Sequence, residues 1–307
     1  MKYLRLIRYQ NLLLIALMQL VVLYGFLKIQ NIGLYLQDWQ YYLLIAATVT
    51  IAAGGYIIND INDQESDAEN KFNGNIVGKS ISENTAYNWY VGFTITGVGL
   101  GFYLANVIQK PSFVTVFILC AALLYIYATS FKQILLVKNI VVSFLLSFSI
   151  IVIGLFEIYP ATTFENQSIM RMTFTILIDF AIIAFIINFM RELVKDMEDV
   201  KGDYNNGIQT LPIVLGISRT AKLLLGFTII PVVLILYYTY TNLFNLQYAT
   251  VYILGFIIGP LFYFMIKIWT ARNKKDFNHL STVLKLVIFF GIIAIGVIGL
   301  NMKYYAA

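Results

Sequence analysis

Charge is scarce in this chain. Only 12% of its 307 residues are charged and 60% are hydrophobic, against about 25% and 45–50% in soluble globular domains. A water-soluble enzyme does not carry so apolar a composition, which places the chain in the membrane class. There is one cysteine, Cys120, inside an apolar run, so an intrachain disulfide is excluded and the thiol reads as a small buried hydrophobe. The one histidine, His279, has no Cys or Glu beside it and reads as a surface residue, not a metal ligand. Proline is also rare, with five in all. Most stand near the ends of apolar runs, while Pro231 and Pro260 fall inside runs, where membrane helices tolerate a kink. No Walker loop, dinucleotide fingerprint or nucleophile elbow is present. A net charge of +5 raises the question of nucleic acid. The basic residues stand at the ends of apolar runs and not in a cluster interleaved with aromatics, so nucleic acid is not the expected partner. Membrane lipid is.

What is abundant is long apolar sequence. A spanning helix needs about 20 mostly apolar residues, and nine segments qualify: 11–29, 41–58, 88–107, 112–129, 139–158, 171–190, 221–241, 249–270 and 284–301. The first is too long for a signal-peptide core and lacks a clear cleavage site, so it reads as a span. The expected fold is therefore all-α, a polytopic bundle forming a single transmembrane domain over 1–307. Alternation of the spans puts 17 of the 21 basic residues with the N-terminus and the loops after spans two, four, six and eight; four remain opposite. The bias predicts a multi-pass protein of the cell membrane with that side in the cytoplasm.

The acids are distributed differently. Six lie between Asp60 and Glu83, after the second span, and five between Glu192 and Asp203, after the sixth, so these two loops hold 11 of the 16. Carboxylates packed so closely repel one another, which predicts that something positive sits among them. In the first cluster, Asn59, Asp63 and Asp67 fall at i, i+4 and i+8 of a helix continued from the second span, with Asp60 beside them. In the second, Asp196, Asp199 and Asp203 fall at i, i+3 and i+7. Each set is expected to share one helix face. Two such faces would make an oxygen-lined site for a hard cation. Mg²⁺ takes one or two carboxylates plus substrate phosphates, so the spacing points to a Mg²⁺-bridged diphosphate at the mouth of an apolar bundle.

The run Asn59-Asp60-Ile61-Asn62-Asp63-Gln64-Glu65-Ser66-Asp67 resembles the NDxxDxxxD motif of the UbiA superfamily of intramembrane prenyltransferases. Asp196 to Asp203 resembles that family's DxxDxxxD motif. The stretch from Arg191 through Asp203 to Gly216 looks like the branch that makes digeranylgeranylglyceryl phosphate. The resemblance implies Mg²⁺ held by Asn59, Asp60, Asp63, Asp67, Asp196, Asp199 and Asp203, with Asp63, Asp67, Asp199 and Asp203 as the catalytic carboxylates. It also implies a prenyl diphosphate donor whose allylic cation is captured by a lipid acceptor, geranylgeranylglyceryl phosphate, or by an aromatic quinone precursor. Arg8, Asn11, Lys132 and Asn139 sit where the family has polar residues. The run after the first motif departs from the family: its arginines and prolines are absent, leaving Lys71 and Lys79 as point charges for phosphate.

Other candidates rest on position alone. Lys132, after the fourth span, either faces a diphosphate or anchors the positive side. Arg191 and Lys195, one turn apart, either bind substrate or snorkel from a helix end. Asn188 is placed to reach the same cavity. Asp179 lies inside the sixth span, where a carboxylate is a functional candidate by default. A cation-coupled transporter is the alternative of another class. Such sites lie near the bilayer midplane, whereas these acids cluster at one surface, with Asp179 alone deep.

Overall fold

The computed structural model describes residues 2–64 and 76–305. Among these residues the chain is helical throughout, and the one extended contact is an isolated bridge between Val77 and Ile81. Nine helices are long and apolar enough to cross a membrane. They are α1 (Tyr9–Gln30), α2 (Asp38–Asn62), α3 (Glu83–Val107), α4 (Pro111–Thr129), α5 (Val137–Ile158), α6 (Gln167–Glu198), α7 (Ile217–Leu243), α8 (Gln247–Thr270) and α9 (Lys274–Tyr304). Each contains one of the nine apolar segments expected from sequence. Helices are the only open-ended structure that satisfies every backbone N–H and C=O without water, so an apolar run of this length has one physical outcome.

The helices outrun the apolar segments where the chemistry lies. α6 has 32 residues, about 48 Å at 1.5 Å per residue, against a hydrocarbon core of about 30 Å. It is therefore longer than that layer is thick, and its last turns carry the charged run from Arg191 to Glu198. α2 likewise stays helical through Asn59 and Asp60 to Asn62. Charged sequence there continues the helix because each residue adds one backbone hydrogen bond to a nucleus already formed.

α2 packs on α3 and α4, α5 on α6, and α9 on α1 and α6. Lipid provides no hydrophobic drive between helices, so close approach depends on small residues. At Gly54 and Gly55 of α2, a Cβ would meet Thr94 Oγ1 at 3.0 Å and Leu124 Cδ2 at 2.7 Å. The tightest crossing joins α1 and α9, where a Cβ on Gly299 would stand 2.0 Å from the Gly25 carbonyl oxygen and 3.1 Å from Phe26 Cα. These neighbours are backbone atoms and cannot rotate away. Replacing Gly299 with Ala should therefore cost about 3 kcal/mol, at the upper end of overpacking penalties, read as a lowered thermal midpoint in detergent or nanodiscs. An unchanged midpoint would show that this crossing does not hold α1 against α9.

Candidate functional site

The first aspartate cluster forms where α2 ends. Asp63 closes the helix, its N–H donating to the Asn59 carbonyl at 3.0 Å. The Asn59 side-chain amide donates to Asp63 Oδ2 at 2.7 Å, which is the i, i+4 contact the spacing predicted. That bond leaves Asn59 Oδ1 buried and without a hydrogen-bond partner among the described residues. Asp60 is turned elsewhere. Arg8 adopts a left-handed conformation (φ 50°) between the short helix Lys2–Leu6 and α1. Its guanidinium is 2.8 Å from Asp60 Oδ1 and lies 5.1 Å from the centre of the Tyr56 ring. Asp67 and Lys71 lie outside the described residues. Lys79 is exposed on the turn after Gly78.

The second cluster departs from the expected single helical face. The backbone bends at Asp199 (φ −103°, ψ 8°) and resumes as the short helix Val200–Asn205. Asp196 and Asp203 stay buried, with side-chain exposures of 6% and 9%, whereas Asp199 is 42% exposed and 3.8 Å from Lys274. Three carboxylates on one face would repel; the bend separates the middle one from the other two. Partial burial, with Glu198 and Asp203 adding like charge, pushes the Asp199 carboxyl up to about 6. Asp196 accepts from Asn139 Nδ2 at 2.8 Å through Oδ2 and from Lys138 Nζ at 2.7 Å through Oδ1. Lys138 Nζ is also 3.4 Å from Asp203 Oδ2. Asn139 was expected at the site; Lys138 was not, although it is the preceding residue in the first turn of α5.

Among the described residues no three Asp, Glu, His or Cys side chains converge as a metal cage. The unpartnered Asn59 oxygen, with Asp63 beside it, offers hard oxygen donors that fit an ion completing its shell with phosphate and water.

Beneath the clusters lie two apolar chambers. One, of about 1260 Å³ including its mouth, is walled by α1, α5, α6, α7, α8 and α9; the other, of about 1020 Å³, by α1, α2, α4, α5 and α6. They share Asn11, Ile15, Tyr56, Leu146, Ser149 and Arg191. Arg191 is thus at the junction, and its Nε is buried without a hydrogen-bond partner among the described residues. Glu192 accepts from Lys195 Nζ at 2.7 Å and lies 3.6 Å from Arg191 Nη1. Arg8, Asn59 and Lys195 line the second chamber; Asn188 and Lys285 line the first. Lys285 also went unexpected, although a lysine inside the ninth apolar run was a legible signal. Lys132 sits in the short turn Phe131–Gln133 after α4.

Asp179 does not join this site. It lines a separate space with Arg171, Thr175 and Asn242, divided from the larger chamber by Tyr238, Leu243 and Ile298. The half-turns of α6 that carry Asp179 and Arg191 face different cavities.

A family model of the UbiA prenyltransferase family matches residues 11–297. The chain belongs to this family. The digeranylgeranylglyceryl phosphate synthase of Saccharolobus solfataricus is 31% identical over 270 residues, 85% of this chain and 87% of that one. A solved digeranylgeranylglyceryl phosphate synthase superposes with a TM-score of 0.67 at 20% identity, covering 97% of both chains. A UbiA homologue from Archaeoglobus fulgidus, bound to DMAPP and Mg²⁺, gives 0.62 at 17% identity, over 96% of this chain and 99% of that one. At these identities the two structures establish a common fold, with UbiA helices in the same arrangement as α1–α9.

Two variants separate the pieces of this UbiA site. Removing Arg8 leaves Asp60 buried and unpaired. Arg8→Ala should destabilise the protein by about 2–3 kcal/mol, below the 3–5 of a fully buried pair because the Arg8 side chain keeps 33% exposure. Thermal unfolding checks this, and Arg8→Ala/Asp60→Asn should recover part of the loss. Asp179→Asn, in contrast, should leave diphosphate binding within about twofold of wild type, read by calorimetry; a tenfold loss would join the two cavities functionally.

Proposed function

We propose that this prenyltransferase moves a geranylgeranyl group from its diphosphate to the free hydroxyl of geranylgeranylglyceryl phosphate, at the cytoplasmic face of a cell membrane, and that the whole chain works as one domain. The observation that carries the reading is Arg191 at the junction of two apolar chambers, with Arg8 and Lys195 on the adjoining wall. Each substrate in this reaction has a phosphate head and a long apolar tail. A cationic junction feeding two separate apolar spaces matches a pair of such molecules better than it matches one tail and a small aromatic ring. The relatives named as digeranylgeranylglyceryl phosphate synthases support the same choice.

Arg191 presents a planar fork of donors suited to phosphate oxygens, and Glu192, itself paired with Lys195, lies 3.6 Å from its Nη1. The chambers exclude water, so the allylic cation formed as the C–O bond breaks meets the acceptor hydroxyl before it meets solvent. That oxygen closes the new ether bond as its proton passes to the departing diphosphate. Aromatic faces such as Tyr56 and Tyr127 line the second chamber and can support positive charge. Asn59 and Asp63 would hold Mg²⁺, which supplies Lewis-acid neutralisation of the leaving diphosphate when bound. The bias of basic residues toward the aspartate side supports a cytoplasmic site.

Purified protein in lipid, given geranylgeranyl diphosphate, should release diphosphate and form product with geranylgeranylglyceryl phosphate but not with a hydroxybenzoate, and only without chelator. Asp63→Ala and Arg191→Ala should each lower turnover by about 10²-fold or more, the scale of losing one charge-stabilising group. Product with the aromatic acceptor alone would keep the class and overturn the acceptor. Absence of donor binding would overturn the assignment.

A further inference from the structure

We propose that Lys138 is the resident counter-ion of the second aspartate cluster, so that its ammonium takes the place of a divalent cation there and the site loads one Mg²⁺, on the Asn59–Asp63 side. This rests on the prenyltransferase reading above.

Both oxygens of Asp196 are committed to the first turn of α5, Oδ1 to Lys138 Nζ at 2.7 Å and Oδ2 to Asn139 Nδ2 at 2.8 Å. The same ammonium reaches Asp203 Oδ2 at 3.4 Å. It is enclosed, with a side-chain exposure of 13%, between carboxylates exposed by 6% and 9%. A divalent ion on these oxygens would need them at about 2.0–2.1 Å. The ammonium already bound to one of them would then stand against a like charge in the same small space. Asn139, its chain neighbour, holds that turn of α5 against Asp196 by its own hydrogen bond. The first cluster is the opposite case. Its arginine partner, Arg8, is spent on Asp60, and Asn59 Oδ1 is buried with no partner among the described residues. One end of the site thus carries a fixed protein cation and the other an unfilled oxygen donor. A diphosphate bound between them would meet Mg²⁺ on one side and the Lys138 ammonium on the other. Lys138 is a positioning residue in this scheme, holding Asp196 and Asp203 together without contacting the prenyl carbon.

The test counts metal and does not depend on turnover. Mn²⁺ binding is measured by equilibrium dialysis and electron paramagnetic resonance on the full chain in nanodiscs, with inorganic diphosphate present. Wild type should bind one Mn²⁺ per chain and Lys138→Met two, while Lys138→Arg stays at one. Asn59→Leu should weaken the single wild-type ion at least tenfold. Two ions in wild type would overturn the proposal alone, whatever the stability of the Lys138 variants. An unchanged count in a folded Lys138→Met would also overturn it. No Mn²⁺ in wild type, with or without diphosphate, would overturn it together with the prenyltransferase reading.

Discussion

Opposite charges held at the end of an apolar bundle organise this protein. The aspartates would repel one another if left bare, and each described pair of them is met by a basic side chain arriving from another helix. Arg8, at the entry to α1, closes on Asp60 of α2. Lys138, at the start of α5, joins Asp196 to Asp203 across the bend after α6. Breaking one of these contacts costs more than breaking a surface ion pair, because the partners are withdrawn from water and a buried charge is left uncompensated. They also tie four helices together at the level where substrate phosphates would enter.

Below that layer the same charges have a second effect. Arg191, Lys195 and Glu192 end α6 at the point where two apolar chambers meet. Charge and apolar surface are therefore sorted by position: the cations at the junction, the apolar walls in the chambers. The long α6 makes this possible, since only a helix longer than the apolar layer can carry a charged end past it while still lining the cavity beneath. The close glycine crossing brings α1 and α9, two of the helices that wall the larger chamber, to backbone contact.

The fold was legible almost completely, because the bilayer admits few alternatives: all nine apolar runs became the nine helices. The i, i+4 relation of Asn59 and Asp63 was legible for the same reason, a fixed helical period. The second cluster was legible only in part. Periodicity put Asp196, Asp199 and Asp203 on one face, and the bend at Asp199 leaves the middle one exposed while the other two stay buried. Asp179 was a candidate by virtue of being an acid inside a span, yet it faces another cavity.

Sequence by itself determined that the chain is a membrane bundle, where its spans run, which ends carry carboxylates, and through its motifs the family to which it belongs. These follow from local properties: hydropathy over about 20 residues and spacing within one helix. Only the tertiary structure decided which cation meets which carboxylate. Lys138 lies 58 residues from Asp196 along the chain, and Arg8 lies 52 from Asp60, and no local pattern links residues so far apart. Their pairing depends on how α1, α2, α5 and α6 pack, and packing is a property of the folded bundle.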